Sequence, residues 1–291
     1  MLKTESPYQK ILNRLSELPS LPEVVARVLE LTANEAPPAE IARAIEADPG
    51  ITAKVLKLVN SAFYSLKNPI ANLTHACSLL GGRTIKSLVL SVSAMSMFKR
   101  NCSAFDTVRF WRNALATALV SRIIATEARL SSEQAEEAYI AGLLHAGGVP
   151  LFAQFYPNDY ARVLESWGQG ENILDLEEDF FGAAHPEAGW EVANHWRFPG
   201  SIGEVIRYHR VDPVELAENL DQHVLRLLDV VRLADFWTRR AGVSIADSDV
   251  VAAESPAIIP AWMKFDEAFL AEKIGPVEER LAGLESIFTE S

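Results

Sequence analysis

The sequence predicts an all-α fold of two packed helical lobes with a short helical C-terminal extension. Three observations predict it. Apolar residues recur at helical spacing along most of the chain. No convincing run alternates β-branched with polar residues, as a half-buried strand would. Pro37-Pro38, Asn68-Pro69, Gly81-Gly82 and Gly242 punctuate the periodic segments. The 291 residues, 49% apolar and 23% charged, are enough for one large or two modest cores.

Val24, Val28 and Leu31 share one helical face, and Pro37-Pro38 ends that segment. Ile41, Ala44 and Ile45 begin a second face. Asp48-Pro49 reads as a helix start: the Asp48 carboxylate can accept from free backbone N–H groups, and Pro49 has none to lose. Ile51, Val55, Leu58 and Val59 then line one side of a helix, with Lys54 and Lys57 elsewhere. Asn68-Pro69 interrupts, and Gly81-Gly82 ends a short helix carrying Leu79 and Leu80. Ile85, Leu88, Val89 and Val92 form the next stripe. Long helices are expected over 106–129, 132–145 and 221–240, with shorter ones around Tyr160, Leu176, Trp190 and Val205. Pro256, Pro260 and Pro276 divide the tail. Polar residues from Lys99 to Asp106 mark the expected junction, so the chain divides into 1–103, 104–242 and 243–291. No fixed-period repeat or low-complexity tract is seen.

Between Ile51 and Arg112 stand nine Lys or Arg against one acid, Asp106, on a chain whose formal charge is −12. A basic first lobe on an acidic body suits an anionic partner, or is simply a set of solvated faces. Cys77 and Cys102 cannot build a disulfide framework, which fits a reducing, cytoplasmic setting. The N-terminus shows no apolar signal core, and no apolar run approaches the roughly 20 residues that span a bilayer. A P-loop, a GxSxG elbow and a GxGxxG turn are all missing from the sequence. His75, His195 and His223 have no ligand-spaced neighbour and read as ordinary residues. Trp111, Trp190, Trp196, Trp237 and Trp262 are expected in the core and seams.

Three segments form a connected pattern: Leu18-Pro19-Ser20-Leu21-Pro22-Glu23, Asp48-Pro49-Gly50-Ile51 and Leu58-Val59-Asn60-Ser61-Ala62-Phe63-Tyr64. With Ile70, Ala76 to Gly81 and Leu88-Val89-Leu90, they closely resemble the HDOD family, the HD-related output domains of bacterial signalling proteins. The likeness runs from about Leu18 to about Val211. It implies an all-helical bacterial regulator in the cytoplasm. Asn60 also has a reading of its own: Asn tolerates the left-handed backbone that ends a helix, after which Phe63 and Tyr64 fold back as apolar anchors. Alternatively, Asn60 and Tyr64 present hydrogen-bonding groups to a ligand.

The resemblance also implies a place for metal. HD-superfamily phosphohydrolases hold divalent cations with His and Asp from several helices, and the cation makes a bound water nucleophilic. Carried over position by position, the pattern here is depleted. Asn113 stands where a first histidine is expected, after Phe110-Trp111-Arg112. His145 keeps the histidine of the His-Asp pair, but Ala146 replaces the aspartate. His185 matches, and His209 is followed by Arg210 in place of a second histidine. Asp235 matches the last aspartate. A two-metal site is not expected. His145, His185, His209 and Asp235 remain as a weak single-metal set, or as relics that hydrogen-bond one another in a vestigial pocket.

The reading that follows is a non-catalytic signalling module without a cofactor. It acts through protein contacts with two-component or cyclic-dinucleotide enzymes, using Lys54, Lys57, Asn60, Tyr64, Arg83 and Lys86 as contact candidates. One alternative is a metal-dependent phosphohydrolase of nucleotides or cyclic dinucleotides. Another is nucleic-acid binding through the basic lobe, which the overall negative charge opposes.

Overall fold

The computed structural model describes residues 6–18, 20–64, 66–97, 106–243, 245, 258–274, 277–281, 284 and 287. Among these residues the fold is all-α, with helices and short 3-10 turns and no strand. The expected junction at Lys99, the 103/104 boundary, Cys102, Pro256 and Pro276 lie outside the described residues.

The helices before residue 98 are α1 (Pro7–Asn13), α2 (Glu23–Ala33), α3 (Pro38–Glu46), α4 (Pro49–Val59) and α5 (Leu73–Met97). Asp48 caps α4 as its sequence predicts, its Oδ1 accepting from the Ile51 N–H at 3.0 Å with Pro49 in the first turn. Ile51, Val55, Leu58 and Val59 are the buried face of α4. On α2 the face is turned by one residue: Val25, with Val28 and Leu31, is buried, and Val24 is only partly covered. In α5 the chain bends sharply at Gly81, whose φ of 80° suits glycine alone, so the glycine pair does stop the first segment. Helices α2, α3 and α4 all pack on α5.

Asn60 departs from expectation. Its backbone is not left-handed, with φ −84° and ψ 4°. Its side chain closes α4 instead. The amide donates to the Leu56 carbonyl at 2.9 Å and the Ile70 carbonyl at 2.8 Å, and its Oδ1 accepts from the Ile70 N–H at 2.7 Å. This cross-link ties the end of α4 to the entry of α5 and places the Ala62–Tyr64 turn between them.

The second group begins with α6 (Thr107–Glu127), α7 (Ser132–Leu144), α8 (Gly148–Phe155) and α9 (Pro157–Gly168). It continues through α10 (Ile173–Phe181), α11 (His185–His195), α12 (Gly200–Tyr208), α13 (Pro213–Leu216) and α14 (Gln222–Arg240). Two further helices are α15 (Glu267–Ile274) and α16 (Val277–Leu281). Helix α6 lies against α7 and α14, α12 bridges α7 and α14, and α5 packs on α7. Helix α16 reaches both α6 and the Ala62–Tyr64 turn. Residues 132–155 are long and apolar enough to cross a membrane by length and composition, although no such run stood out in the sequence. The stretch is α7 and α8 joined end to end, and most of it is buried inside the fold.

Small residues allow these close crossings. A Cβ on Gly142 would stand 2.5 Å from Ser121 Oγ on α6. One on Gly148 would stand 2.1 Å from the His185 carbonyl oxygen, so α8 and α11 touch backbone to backbone there. Of the five tryptophans expected in the core and seams, Trp111 and Trp196 are buried, as is the sixth, Trp167. Trp190, Trp237 and Trp262 are half-buried, so the five do not form one exposed stacking face.

Replacing Asn60 with Ala removes the side-chain partners of the Ile70 N–H and carbonyl, while the Leu56 carbonyl keeps the residue-60 backbone N–H at 3.0 Å. The variant is expected to lose about 1–3 kcal/mol of unfolding free energy in urea titration. A wild-type midpoint would show that the cross-link contributes nothing.

Candidate functional site

The residues singled out from the sequence come together where helix ends meet. His145 caps the C-terminus of α7, His185 opens α11, His209 caps the C-terminus of α12, and Asp235 lies in the middle of α14. All four are buried. The His209 ring stands edge-on to His145 at 5.2 Å between centroids and lies 5.5 Å from His185. The close approach at Gly148 is what brings the start of α11 into this cluster.

No imidazole hydrogen-bonds another; of the expected relic contacts, only His145 to Asp235 is present, Nε2 to Oδ1 at 3.4 Å, and each ring is also anchored to its own neighbourhood. His145 Nδ1 lies 2.7 Å from the Gly142 carbonyl, and His209 Nδ1 lies 2.7 Å from the Ile206 carbonyl. A carbonyl only accepts, so Nδ1 carries the proton in both rings. His185 Nδ1 meets Glu177 Oε2 at 2.7 Å, and the same oxygen accepts the His185 backbone N–H at 2.7 Å. Tyr160 donates to the other oxygen of Glu177 at 2.7 Å. Burial, then the charge of Glu177, pushes the Tyr160 hydroxyl well above its usual pKa.

Asp235 is gripped by cations. Arg239 reaches it twice, Nε to Oδ1 at 3.2 Å and Nη2 to Oδ2 at 3.1 Å. Arg210 Nη2 stands 3.5 Å from Oδ2, and His145 Nε2 stands 3.4 Å from Oδ1. The sequence pointed to a histidine as the natural partner of Asp235, but the arginine one helical turn along is closer and bidentate. Burial disfavours the Asp235 charge, yet Arg239, then Arg210 and His145, outweigh it and hold the carboxyl well below its usual pKa. His209 moves the other way from protonation: burial, then Arg210 and the two neighbouring imidazoles, keep its pKa well below the ordinary histidine value. Its Nε2 is buried without a hydrogen-bond partner.

This donor set does not fit a divalent cation. Both oxygens of Asp235 face guanidinium groups, and a metal placed there would meet their charge. Among the described residues no group of three or more His, Cys, Asp or Glu is arranged to hold a metal. Ala146 is buried and offers only a methyl group. The amide of Asn113 donates to the Val243 carbonyl at 2.7 Å.

Two participants were not singled out from the sequence. Glu177 is one buried acid among Ile173, Leu176 and Phe181 on α10, a pattern that could have marked it. Arg239 follows Asp235 at i+4 on one helix, a spacing that also marks a pair. His223, read as ordinary, meets Glu137 at 2.6 Å and Gln134 at 3.0 Å, linking the starts of α14 and α7.

The contact candidates divide. Arg83 is exposed, while Lys54, Lys57 and Lys86 are partly covered. Asn60 is engaged with Ile70, and the Tyr64 hydroxyl accepts from Arg122 Nη1 at 2.9 Å. The polar groups of those two residues serve the fold, and this counts against them as partner contacts.

Arg122 belongs to a second buried network, where α5 meets α6 and α7. Its Nε stands 3.4 Å from Glu136 Oε1, and its guanidinium lies 4.1 Å from the centre of the Tyr139 ring. Thr84 donates to Glu136 Oε1 at 3.0 Å, and the Ser91 and Tyr139 hydroxyls pair at 2.8 Å.

A model of the HDOD domain matches residues 18–211. This chain belongs to the HDOD family. The HDOD chain is also similar to the crystal structure of a candidate phosphohydrolase from Shewanella amazonensis. The TM-score is 0.74 at 23% identity, over 96% of this chain and 97% of that one. A candidate signal transduction protein from Marinobacter aquaeolei aligns with a TM-score of 0.72 at 20% identity, over 98% of this chain and 65% of that one. At these identities the likeness establishes the fold. An uncharacterized protein of Treponema pallidum is 25% identical over 205 residues, which is 68% of this chain. This chain spans only 39% of that relative's length.

The depressed pKa of His209 has a pH signature. The unfolded chain takes up a proton near pH 6.5 and the folded chain does not, so this contribution is complete above about pH 6.5 and declines below it. The unfolding free energy is expected to fall by up to about 1.4 kcal/mol per pH unit for this one group. His209→Gln should make the slope between pH 6.5 and 5 shallower in urea titrations. An unchanged slope would mean that His209 is not the titrating group.

Proposed function

We propose that this HDOD protein is a non-catalytic regulatory module of bacterial signal transduction that acts in the cytoplasm through protein contacts. One observation carries the reading: the Asp235 carboxylate is held on both oxygens by Arg239 and Arg210, where the superfamily pattern would have it hold a cation. Internal guanidinium groups then do the charge balancing, and the pocket acts as a structural tie among α7, α12 and α14. Ala146 supports the same reading, since a methyl group cannot bridge two ions.

The family resemblance supports partners among two-component or cyclic-dinucleotide enzymes. In this reading the helices before and after residues 98–105 form two lobes. The partner surface is on the first, around Lys54, Lys57, Arg83 and Lys86. No cofactor takes part.

The test is turnover with and without metal. Purified chain supplied with manganese or zinc is expected to release no product from bis(p-nitrophenyl) phosphate or a cyclic dinucleotide above the blank. It is also expected to retain no stoichiometric metal after dialysis. Metal-dependent turnover that disappears in His145→Ala would overturn the proposal and favour the phosphohydrolase reading.

A further inference from the structure

A cleft of about 800 Å³ lies between the end of α6, helix α14 and the segment that leads into α15. That volume is in the upper part of the range for small-molecule sites, about 300–1,000 Å³. The cleft shares no residue with the Asp235 pocket. Arg226 and the lining residues after it lie beyond the span that the HDOD model matches.

Trp262, Phe265 and Phe269 form the aromatic part of the wall. Trp262 is fixed from α14: its Nε1 donates to Asp229 Oδ2 at 2.8 Å, and the Arg226 guanidinium lies 5.4 Å from the ring centre. Phe265 stacks on Phe269 with centroids 5.8 Å apart. Charged side chains of both signs complete the lining. Both acids are engaged inside the protein: Glu127 Oε1 stands 3.5 Å from Lys273 Nζ, and Asp266 accepts the Phe269 N–H at 2.9 Å. The cations Arg129, Arg226 and Lys264 are not balanced in this way, since among the described residues none of them makes an ion pair.

The backbone adds a second observation. Arg129, with φ 60°, and Lys264, with φ 51°, are both left-handed. Arg129 closes α6 by donating its N–H to the Thr126 carbonyl at 3.0 Å, and Lys264 closes the Ala261–Met263 turn. Glycine is the usual occupant of such positions, because a Cβ is strained there. What Arg and Lys supply instead is positive charge on the cleft. A simple anion would leave the aromatic wall unused, and a neutral aromatic molecule would leave the cations unused. A flat base joined to a phosphate uses both, by stacking and by charge-assisted hydrogen bonds.

We infer that this cleft binds a nucleotide. Its base lies against Trp262 and Phe265, and its phosphate is met by Arg129 and Lys264, with Arg226 adding positive charge beside the Trp262 ring. The inference does not depend on the regulatory reading, because the experiment below contains no partner protein and measures no turnover.

The experiment is calorimetric titration of the full chain, at low salt, with AMP, GMP, CMP and UMP. At least one of them is expected to bind. The matching nucleoside, which lacks the phosphate, and ribose 5-phosphate, which lacks the base, should each bind at least about tenfold more weakly. Arg129→Gly and Lys264→Gly should each weaken the nucleotide by about tenfold and leave the nucleoside unchanged. Neither variant should lower the thermal midpoint, since glycine suits both backbones. The inference fails if none of the nucleotides binds at about 10 mM. It also fails if ribose 5-phosphate matches the nucleotide, or if both glycine variants keep the wild-type affinity.

Discussion

A buried carboxylate has to be neutralised, and much of this molecule follows from how Asp235 is. Taking one carboxylate out of water costs several kcal/mol even after the surroundings relax. Arg239 offsets that cost from the same helix, and Arg210 does so from the end of α12. His145, at the end of α7, completes the shell. Three helices are held in register by one charged group. An electrically satisfied Asp235 has little affinity left for a cation, so the same contacts that stabilise the fold set the chemistry of the pocket.

The seam around Arg122 and Glu136 shows a different balance. Arg122 is surrounded by Tyr64, Tyr139 and Glu136. Burial works against its charge, but those neighbours outweigh burial and raise its pKa above the ordinary guanidinium value. Glu136 has one oxygen in use and one without a donor. At Asp235 every oxygen is matched, and at Glu136 one is not. Tyr64, from the Asn-Ser-Ala-Phe-Tyr segment, ties the N-terminal helices to α6 through this seam.

Much of the fold was legible in the chain. The Asp48 cap, the α4 stripe, the Gly81 break and the extents of α6, α7 and α14 are local features, decided by spacing and by backbone hydrogen bonding within a few residues. The conformation of Asn60 was less legible. Local propensity favoured a left-handed helix end, but the side chain found the Ile70 backbone ten residues on, and three hydrogen bonds outweighed the propensity. Glu177 and Arg239 left faint local signals that only their burial makes decisive.

The sequence by itself determined the helices and the family, and it carries Asn113, Ala146 and Arg210 where the resemblance implies metal ligands. Only the tertiary structure decided what those positions do. That Arg210 neutralises Asp235, that Asn113 is bound to the Val243 carbonyl, and that Glu136 keeps an oxygen without a donor all depend on helices far apart in the chain. Charge and hydrogen bonding act over a few ångströms in space, and spacing along a sequence does not report distance between helices.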